Sequence, residues 1–267
     1  MNIDAMKQAA LAAGMFMKNS DEREHTDKSN TKDFVTVADV KSQNILRAQL
    51  SKMFPGELIL SEEDSEEDRK QLFESRFTGF VLDPIDGTYN FKRDMKESAI
   101  SIGYIQDGEP VAGVIFDPFR EEMYEAVKGG GAYRNTQPIH VSSHEVIEGA
   151  SVATSNSYDD AGMERNLKRH LAIYEQTGHM PWTSCPGSGV LILAWVACGR
   201  IDAYHHNGLK PWDNAAGFLI IREAGGIVES LHGGDAKFTE SAMLASNRPI
   251  GEALKKVFSH VPKELLG

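Results

Sequence analysis

The hexapeptide Asp83-Pro84-Ile85-Asp86-Gly87-Thr88 is where the sequence first points to chemistry. Two carboxylates three residues apart, braced by a proline and followed by a glycine, can converge on one point at the end of a strand. Hard cations such as Mg²⁺ take oxygen ligands, one carboxylate can bridge two ions, and the Ile85 carbonyl between the pair can fill a further position. Gly87 lets the backbone approach a phosphate closely. The N–H groups of Gly87 and Thr88 would cradle an anion if they open a short helix. The same residues could serve turn geometry alone, but the apolar run Phe80-Val81-Leu82 leading into Asp83 argues for a site.

Whole-chain charge agrees with a cation-dependent site. The 267 residues carry a formal charge of −11 with no basic stripe to offset it, which argues against nucleic acid or an anionic membrane as partner. An anionic substrate then requires the local field to be inverted, and bound divalent cations do that. The two cysteines, Cys185 and Cys198, make neither a disulfide framework nor a zinc spacing, so a reducing cytoplasm is expected. Residues 1–18 read as an amphipathic helix and not a signal peptide, with Ile3, Met6, Ala10, Ala13 and Met17 at helical spacing. The apolar run 190–198 is about half the ~20 residues a membrane span needs, and reads as a buried helix.

The elements around the hexapeptide must deliver it. The polar stretch 20–33 has no periodicity and is expected to be a mobile loop. A second helix follows, with Ala38, Ile45, Leu46, Leu50 and Met53 on its apolar face and Pro55-Gly56 at its end. Strand 58–60 runs into Ser61-Glu62-Glu63-Asp64, whereas Glu66, Glu67 and Asp68 read as a solvated turn. Strands 99–105 and 111–117 flank a hairpin signal at Asp107-Gly108, 123–127 extends the meander, and Lys128-Gly129-Gly130-Gly131 breaks it. Residues 1–145 thus read as helices on a largely antiparallel sheet.

From about 146 to 267 the pattern alternates: strand 151–154, helix 161–174, a strand near Trp182, helix 189–197, strand 201–204, helix 214–223 and strand 227–229. This is expected to be a second, α/β part. No linker separates the two, so they should share an interface.

The hexapeptide resembles the first signature of the inositol monophosphatase superfamily, the lithium-sensitive Mg²⁺ phosphatases. Ser61-Glu62-Glu63-Asp64 is similar to the family's Gly-Glu-Glu-Ser element, 28–39 to its lysine-to-aspartate segment, and Pro211-Trp212-Asp213-Asn214-Ala215-Ala216-Gly217 to its second signature. The resemblance spans nearly the whole chain. It implies a layered αβαβα sandwich of the inositol monophosphatase/fructose-1,6-bisphosphatase type, an α/β fold. It also implies hydrolysis of a small phosphomonoester, inositol 1-phosphate-like, by metal-activated water. One Mg²⁺ would take Glu62, Asp83 and the Ile85 carbonyl, a second Asp83, Asp86 and Asp213, and a weaker third would lie near Glu62, with Li⁺ as an inhibitor. In the implied catalytic relay Asp39 polarises the Thr88 hydroxyl, which with Glu62 orients the attacking water, and Lys28 stands near the metals. Asp86, Gly87, Thr88, Gly187, Ser188, Gly189, His206 and Asp213 would line the substrate, in a homodimer.

Other readings of the same residues stand beside these. Asp213, Asp39 and Ser188 each precede or open an apolar helix and are good helix caps. Haloacid-dehalogenase-type phosphatases use Asp-x-Asp-Gly-Thr with a nucleophilic first Asp; here two residues separate the aspartates, and a covalent aspartyl-phosphate is the alternative mechanism. His206 stands where the family usually has a Glu, seven residues before Asp213. A neutral His can donate or accept a hydrogen bond, and a protonated one can face a second phosphate. Sister activities on 3′-phosphoadenosine 5′-phosphate, fructose 1,6-bisphosphate, histidinol phosphate or NADP therefore stay open, although Tyr89-Asn90-Phe91 looks more like the inositol branch. A silent cation-binding protein would be marked by loss of Asp83, Asp86, Glu62 or Thr88, and all four are present.

Overall fold

Apolar stripes on the helices and apolar faces on the strands resolve into stacked layers in the computed structural model, which describes every residue except 31, 32, 158, 263 and 265–267. Helices α1 (Ile3–Asn19) and α2 (Val37–Met53) turn Met6, Ala10, Ala13, Met17, Leu46 and Leu50 onto one face of a seven-stranded sheet. That sheet runs β3 (Ile59–Ser61), β4 (Gly79–Asp86), β5 (Ala99–Gln106), β6 (Glu109–Asp117), β7 (Glu122–Val127), β8 (Ala132–Arg134) and β9 (Gln137–Pro138) in spatial order. The β3–β4 pair is parallel and the rest antiparallel, as the hairpin signals imply.

Its other face is covered by α6 (Gly189–Ala197) and α7 (Pro211–Glu223), whose apolar side chains share a core with Ile115 and Tyr124 of the sheet. Beyond them lies a five-stranded sheet, ordered β11 (Trp182–Ser184), β10 (Ser151–Ala153), β12 (Ala203–Asn207), β14 (Ala242–Ser246), β13 (Ile227–Ser230). Helices α5 (Asp160–Thr177) and α8 (Arg248–Phe258) close its outer side over Val152, Ala203 and Leu244. The stack is α–β–α–β–α. Among the described residues no helix is long and apolar enough to cross a membrane.

Four expectations need correcting. The stretch 20–33 contains strand β1 (His25–Asn30), which pairs antiparallel with β2 (Asp33–Thr36). No hydrophobic period marks β1 because His25, Thr26, Asp27 and Lys28 are exposed and bury no face. Of the segment 28–39, residues 31 and 32 lie outside the described residues. The acidic run is helical at α3 (Glu66–Arg69), opened by the Ser65 side chain. Helix α7 starts at Pro211, where the fixed φ of proline suits a first helical residue, and β12 continues to Asn207. Strand β14 and helix α8 complete the second sheet and its cover.

How close α7 can come to the sheet is set by two glycines. Gly103 and Gly113 face each other across β5 and β6. A Cβ on Gly103 would lie 2.5 Å from the Ala215 Cβ, and one on Gly113 2.9 Å from the Ala216 Cα. The Ser101 hydroxyl also donates to the Trp212 carbonyl at 3.2 Å. This seat brings the first turn of α7, with Asp213, against the end of β4. A methyl at Gly113 meets backbone, which cannot swing aside. Gly113→Ala is therefore expected to destabilise by about 1–3 kcal/mol, read as a lower urea midpoint at unchanged slope. An unchanged midpoint would mean that α7 is not seated as described.

Candidate active site

In an even strand, residues 83 and 86 would point to opposite faces, because side chains alternate with a period of two. The pairing of β4 with β5 shifts between Asp83 and Asp86: Asp83 sits opposite Ser101 and Asp86 opposite Ala99. One extra residue is thus inserted at Pro84-Ile85, where proline has no N–H to give the ladder, and the bulge returns both carboxylates to one side. Asp83 Oδ1 accepts the Ile85 N–H at 3.0 Å, and the Ser42 hydroxyl of α2 holds the Pro84 carbonyl at 2.7 Å.

Asp213 enters from the opposite layer. It lies in the first turn of α7, where its Oδ2 accepts the Lys210 N–H at 2.7 Å, so it braces the helix start without being the N-cap. Carboxylate oxygens of Asp83, Asp86 and Asp213 all fall within 4.8 Å of one another. Asp83 is only 1 % exposed. Burial first, then the charges of Glu62, Asp86 and Asp213, push its pKa well above the usual carboxylate range. Burial and then Asp86 and Glu62 do the same to Asp213. Asp86 is pushed up to about 6 by burial, against hydrogen bonds from Ser188 and the Val190 N–H that favour its charge. Three carboxylates this close, offering only oxygen, fit a hard divalent cation, which would relieve their mutual repulsion.

Asp86 also ties the two sheets' layers together. One of its oxygens accepts the Ser188 hydroxyl and the Val190 N–H (3.0 Å) at the start of α6. Ser188 at the same time caps α6 through the Leu191 N–H, so its cap reading holds. Gly87 takes a left-handed φ of 81° and is the residue before the short helix α4 (Thr88–Lys92). A Cβ there would lie 2.8 Å from the Glu97 carbonyl and 3.2 Å from the Ser188 Cβ. Gly187, at φ 84°, packs on the Asn90 amide. Asn90 donates to the carbonyls of Glu97 (2.8 Å) and Pro186 (2.7 Å) and so fastens the Gly87 and Gly187 turns to each other. The sequence gives no sign of this role.

Asp39 does two things with its two oxygens. Oδ2 accepts the Thr36 N–H (2.8 Å) and hydroxyl in a capping box on α2, and Oδ1 accepts the Thr88 hydroxyl at 3.2 Å. Thr88 also lies 3.1 Å from the Ile85 carbonyl. Burial pushes Asp39 up to about 6. Glu62, at the end of β3, raises the pKa of all three clustered carboxylates and is therefore near them. Its own carboxylate, however, is turned to Lys28, whose Nζ lies 2.9 Å from Glu62 and 2.8 Å from Glu63. Lys28 thus comes to the edge of the site on the β1–β2 hairpin.

His206, one residue before the end of β12, has its ring stacked on Tyr204, centroids 5.9 Å apart. Burial, and then the Arg169 guanidinium, push its pKa down to about 3, which favours the neutral imidazole in the ligand-free chain. Tyr204, two residues earlier, feels the charges of Asp86 and Asp213, and its hydroxyl lies 3.4 Å from where a Gly189 Cβ would be. His206 lies on the same face of β12 as Tyr204 and stacks against the side of that ring.

The profile of the inositol monophosphatase family matches residues 2–264. The Nus factor SuhB of Xylella fastidiosa is 34 % identical over 265 residues, covering 96 % of this chain and 93 % of its own length. The fructose-1,6-bisphosphatase/inositol-1-monophosphatase of Thermotoga maritima is 33 % identical over 242 residues, covering 90 % and 88 %. Among solved structures, the extragenic suppressor protein suhB of Bartonella henselae superposes with a TM-score of 0.86 at 31 % identity, over 97 % of this chain and 99 % of that one. The bulged strand, the seated helix and the all-oxygen group between them sit on that shared fold, and the chain belongs to the inositol monophosphatase family of Mg²⁺-dependent phosphomonoesterases.

Proposed function

We propose that this chain hydrolyses a small phosphorylated alcohol, inositol 1-phosphate or a near relative, at the carboxylates of Asp83, Asp86 and Asp213. The observation that carries this reading is the meeting of these three side chains, from segments far apart in sequence, in one all-oxygen group. One Mg²⁺ would be held by Glu62, Asp83 and the Ile85 carbonyl, a second by Asp83, Asp86 and Asp213, and a weaker third near Glu62, with Li⁺ competing. When bound, the cation supplies Lewis-acid polarisation and positive charge where the phosphoryl group reacts.

The chain's own residues do the rest. With its proton given to Asp39, Thr88 Oγ1 has lone pairs left to accept from a water and fix its orientation, and Glu62 accepts that water's other proton. The N–H groups of Gly87 and Thr88, with the turn Gly187-Ser188-Gly189, hold the phosphate oxygens. His206 lies beside the leaving alcohol. Asp83 Oδ1 is engaged by the Ile85 N–H and the group is buried, which favours its being a ligand over an attacking carboxylate.

The division 1–145 and 146–267 is then one catalytic unit made from both parts, since Asp83 and Asp86 come from the first and Asp213 from the second. A homodimer in the cytoplasm extends the reading, in keeping with the free thiols of Cys185 and Cys198. A second substrate reading, fructose 1,6-bisphosphate or another doubly phosphorylated ester, is favoured by one observation: an uncharged His206 where a carboxylate would repel a second phosphate.

A panel of phosphomonoesters assayed for phosphate release with Mg²⁺ tests the reading. Turnover should vanish with excess EDTA and return when Mg²⁺ is restored. Turnover that persists in EDTA would sink the metal mechanism.

A further inference from the structure

Arg169 of α5 is wholly buried, and a guanidinium can only donate hydrogen bonds. Its Nη2 donates to Asn166 Oδ1, and its Nε donates to His205 Nδ1 at 3.3 Å. These two contacts settle protons elsewhere. The Asn166 amide cannot be turned over, because its NH₂ would then face guanidinium N–H groups. Its Nδ2 must donate onward, and it does so to the Ser155 carbonyl at 3.2 Å and to His206 Nδ1 at 3.0 Å. His206 Nδ1 therefore accepts, and its ring proton is on Nε2.

The second branch obeys the same rule. His205 Nδ1 accepts from Arg169, so His205 Nε2–H donates to His170 Nδ1 at 2.9 Å. One guanidinium thereby fixes the tautomer of three imidazoles. A proton added to His206 Nδ1 would collide with the Asn166 N–H and sit near the Arg169 charge, and its pKa pushed down to about 3 is in keeping with that geometry. His206 Nε2 points toward the chain entering α7, with a Cβ on Gly208 only 3.8 Å away.

We infer that Asn166, backed by Arg169, is a positioning residue that holds His206 as a neutral imidazole with Nε2–H donated to the leaving group. The site accordingly selects phosphorylated alcohols presenting a hydrogen-bond acceptor there, such as a carbonyl, ether or second phosphate oxygen. This rests on the proposal that His206 lines the leaving-group side of the phosphatase site. A carboxylate would require a hydroxyl to donate, whereas this wall also takes a group that only accepts.

The test is ¹⁵N-histidine NMR of the intact chain in EDTA, with His206 assigned from the spectrum of His206→Gln. The expected result is a pyrrole-type Nε2 and a pyridine-type Nδ1, constant between about pH 5 and 8, where an ordinary histidine titrates. A wild-type His206 protonated on Nδ1, or titrating in that window, overturns the inference without any Asn166 variant having to fold. In Asn166→Asp both side-chain oxygens accept, so His206 must carry a proton on Nδ1. Its spectrum should change accordingly, and the kcat/KM ratio of fructose 1,6-bisphosphate to inositol 1-phosphate should move by roughly several-fold. A changed tautomer with an unmoved ratio overturns the selection of acceptors. Absence of phosphatase activity in the wild type would defeat the proposed function instead, and the spectrum would still decide the tautomer.

Discussion

Asp83→Asn should abolish most of the activity and at the same time make the metal-free chain more stable. Asp83 is buried beside Asp86 and Asp213, near Glu62, and its raised pKa records that its charge is unwelcome there when no cation is present. An amide of the same volume removes the repulsion. Its oxygen can still accept the Ile85 N–H that Asp83 Oδ1 takes now, and its NH₂ can donate to Asp213. Folding without metal should therefore gain on the order of 1 kcal/mol. With Mg²⁺ the order reverses. Wild type is stabilised by mass action, about 2.7 kcal/mol at a hundredfold excess over Kd, whereas the variant, short of a central ligand charge, gains much less. Activity should drop roughly a thousandfold, equivalent to about 4 kcal/mol of transition-state stabilisation. Urea melts with EDTA or Mg²⁺, alongside turnover, read all three effects. A variant that keeps the Mg²⁺-dependent stabilisation and activity within tenfold of wild type would remove Asp83 from the centre of the site.

The spacing that makes this expectation possible is plain in the sequence, yet its structural cause is not. Asp-Pro-Ile-Asp-Gly-Thr marks a site, but strict strand alternation would have separated the two carboxylates. The bulge depends on Pro84 withholding an N–H in the middle of a paired strand, which no hydrophobic period reports. Asp213 and Asp39 are ambiguous in sequence for a physical reason: an acid in the first turn of a helix is useful both to the helix and to a metal or hydroxyl. In Asp39 the structure divides the labour between the two oxygens of one carboxylate, and in Asp213 the carboxylate that braces the helix start also reaches the cluster.

Other elements differ in what they reveal. Strand β1 is hidden because nothing along it is buried, and β14 because Ala242-Met243-Leu244-Ala245-Ser246 is buried on both faces and does not alternate. Helix α8 is different: Ile250, Leu254, Val257 and Phe258 give a readable helical period after Asn247, which the alternation up to residue 229 leaves out. The histidine–arginine network is the least legible part. Asn166, Arg169 and His170 look like the solvated side of an amphipathic α5, whereas they occupy its buried face.

That network makes acid a specific threat to the fold. Burial, with Arg169 adding to it, pushes His206 down to about 3 and His205 well below its ordinary range; burial pushes His170 down to about 4. His170 faces Arg169 on its own helix and His205 on β12, and the His205 ring meets Phe258 of α8 edge-on; none of these three side chains is a carboxylate that would welcome a proton. The folded pKa values lie below the unfolded value near 6.5. Above that pH both states are neutral and the network is neither favoured nor penalised by protons. As pH falls from about 6.5 toward 4, the unfolded chain takes up protons that the folded one refuses, and stability is lost. Each such histidine contributes a slope of about 1.4 kcal/mol per pH unit well below 6.5. The clustered carboxylates, raised in the metal-free fold, act in the opposite direction, so the net slope of wild type alone is not diagnostic. The difference between wild type and His170→Asn is, because the carboxylates are common to both. Urea unfolding in EDTA between pH 4.5 and 6 should give a slope shallower by about 1 kcal/mol per pH unit in the variant. Equal slopes would mean that His170 takes up its proton in the folded state, and that the network does not hold its imidazoles neutral.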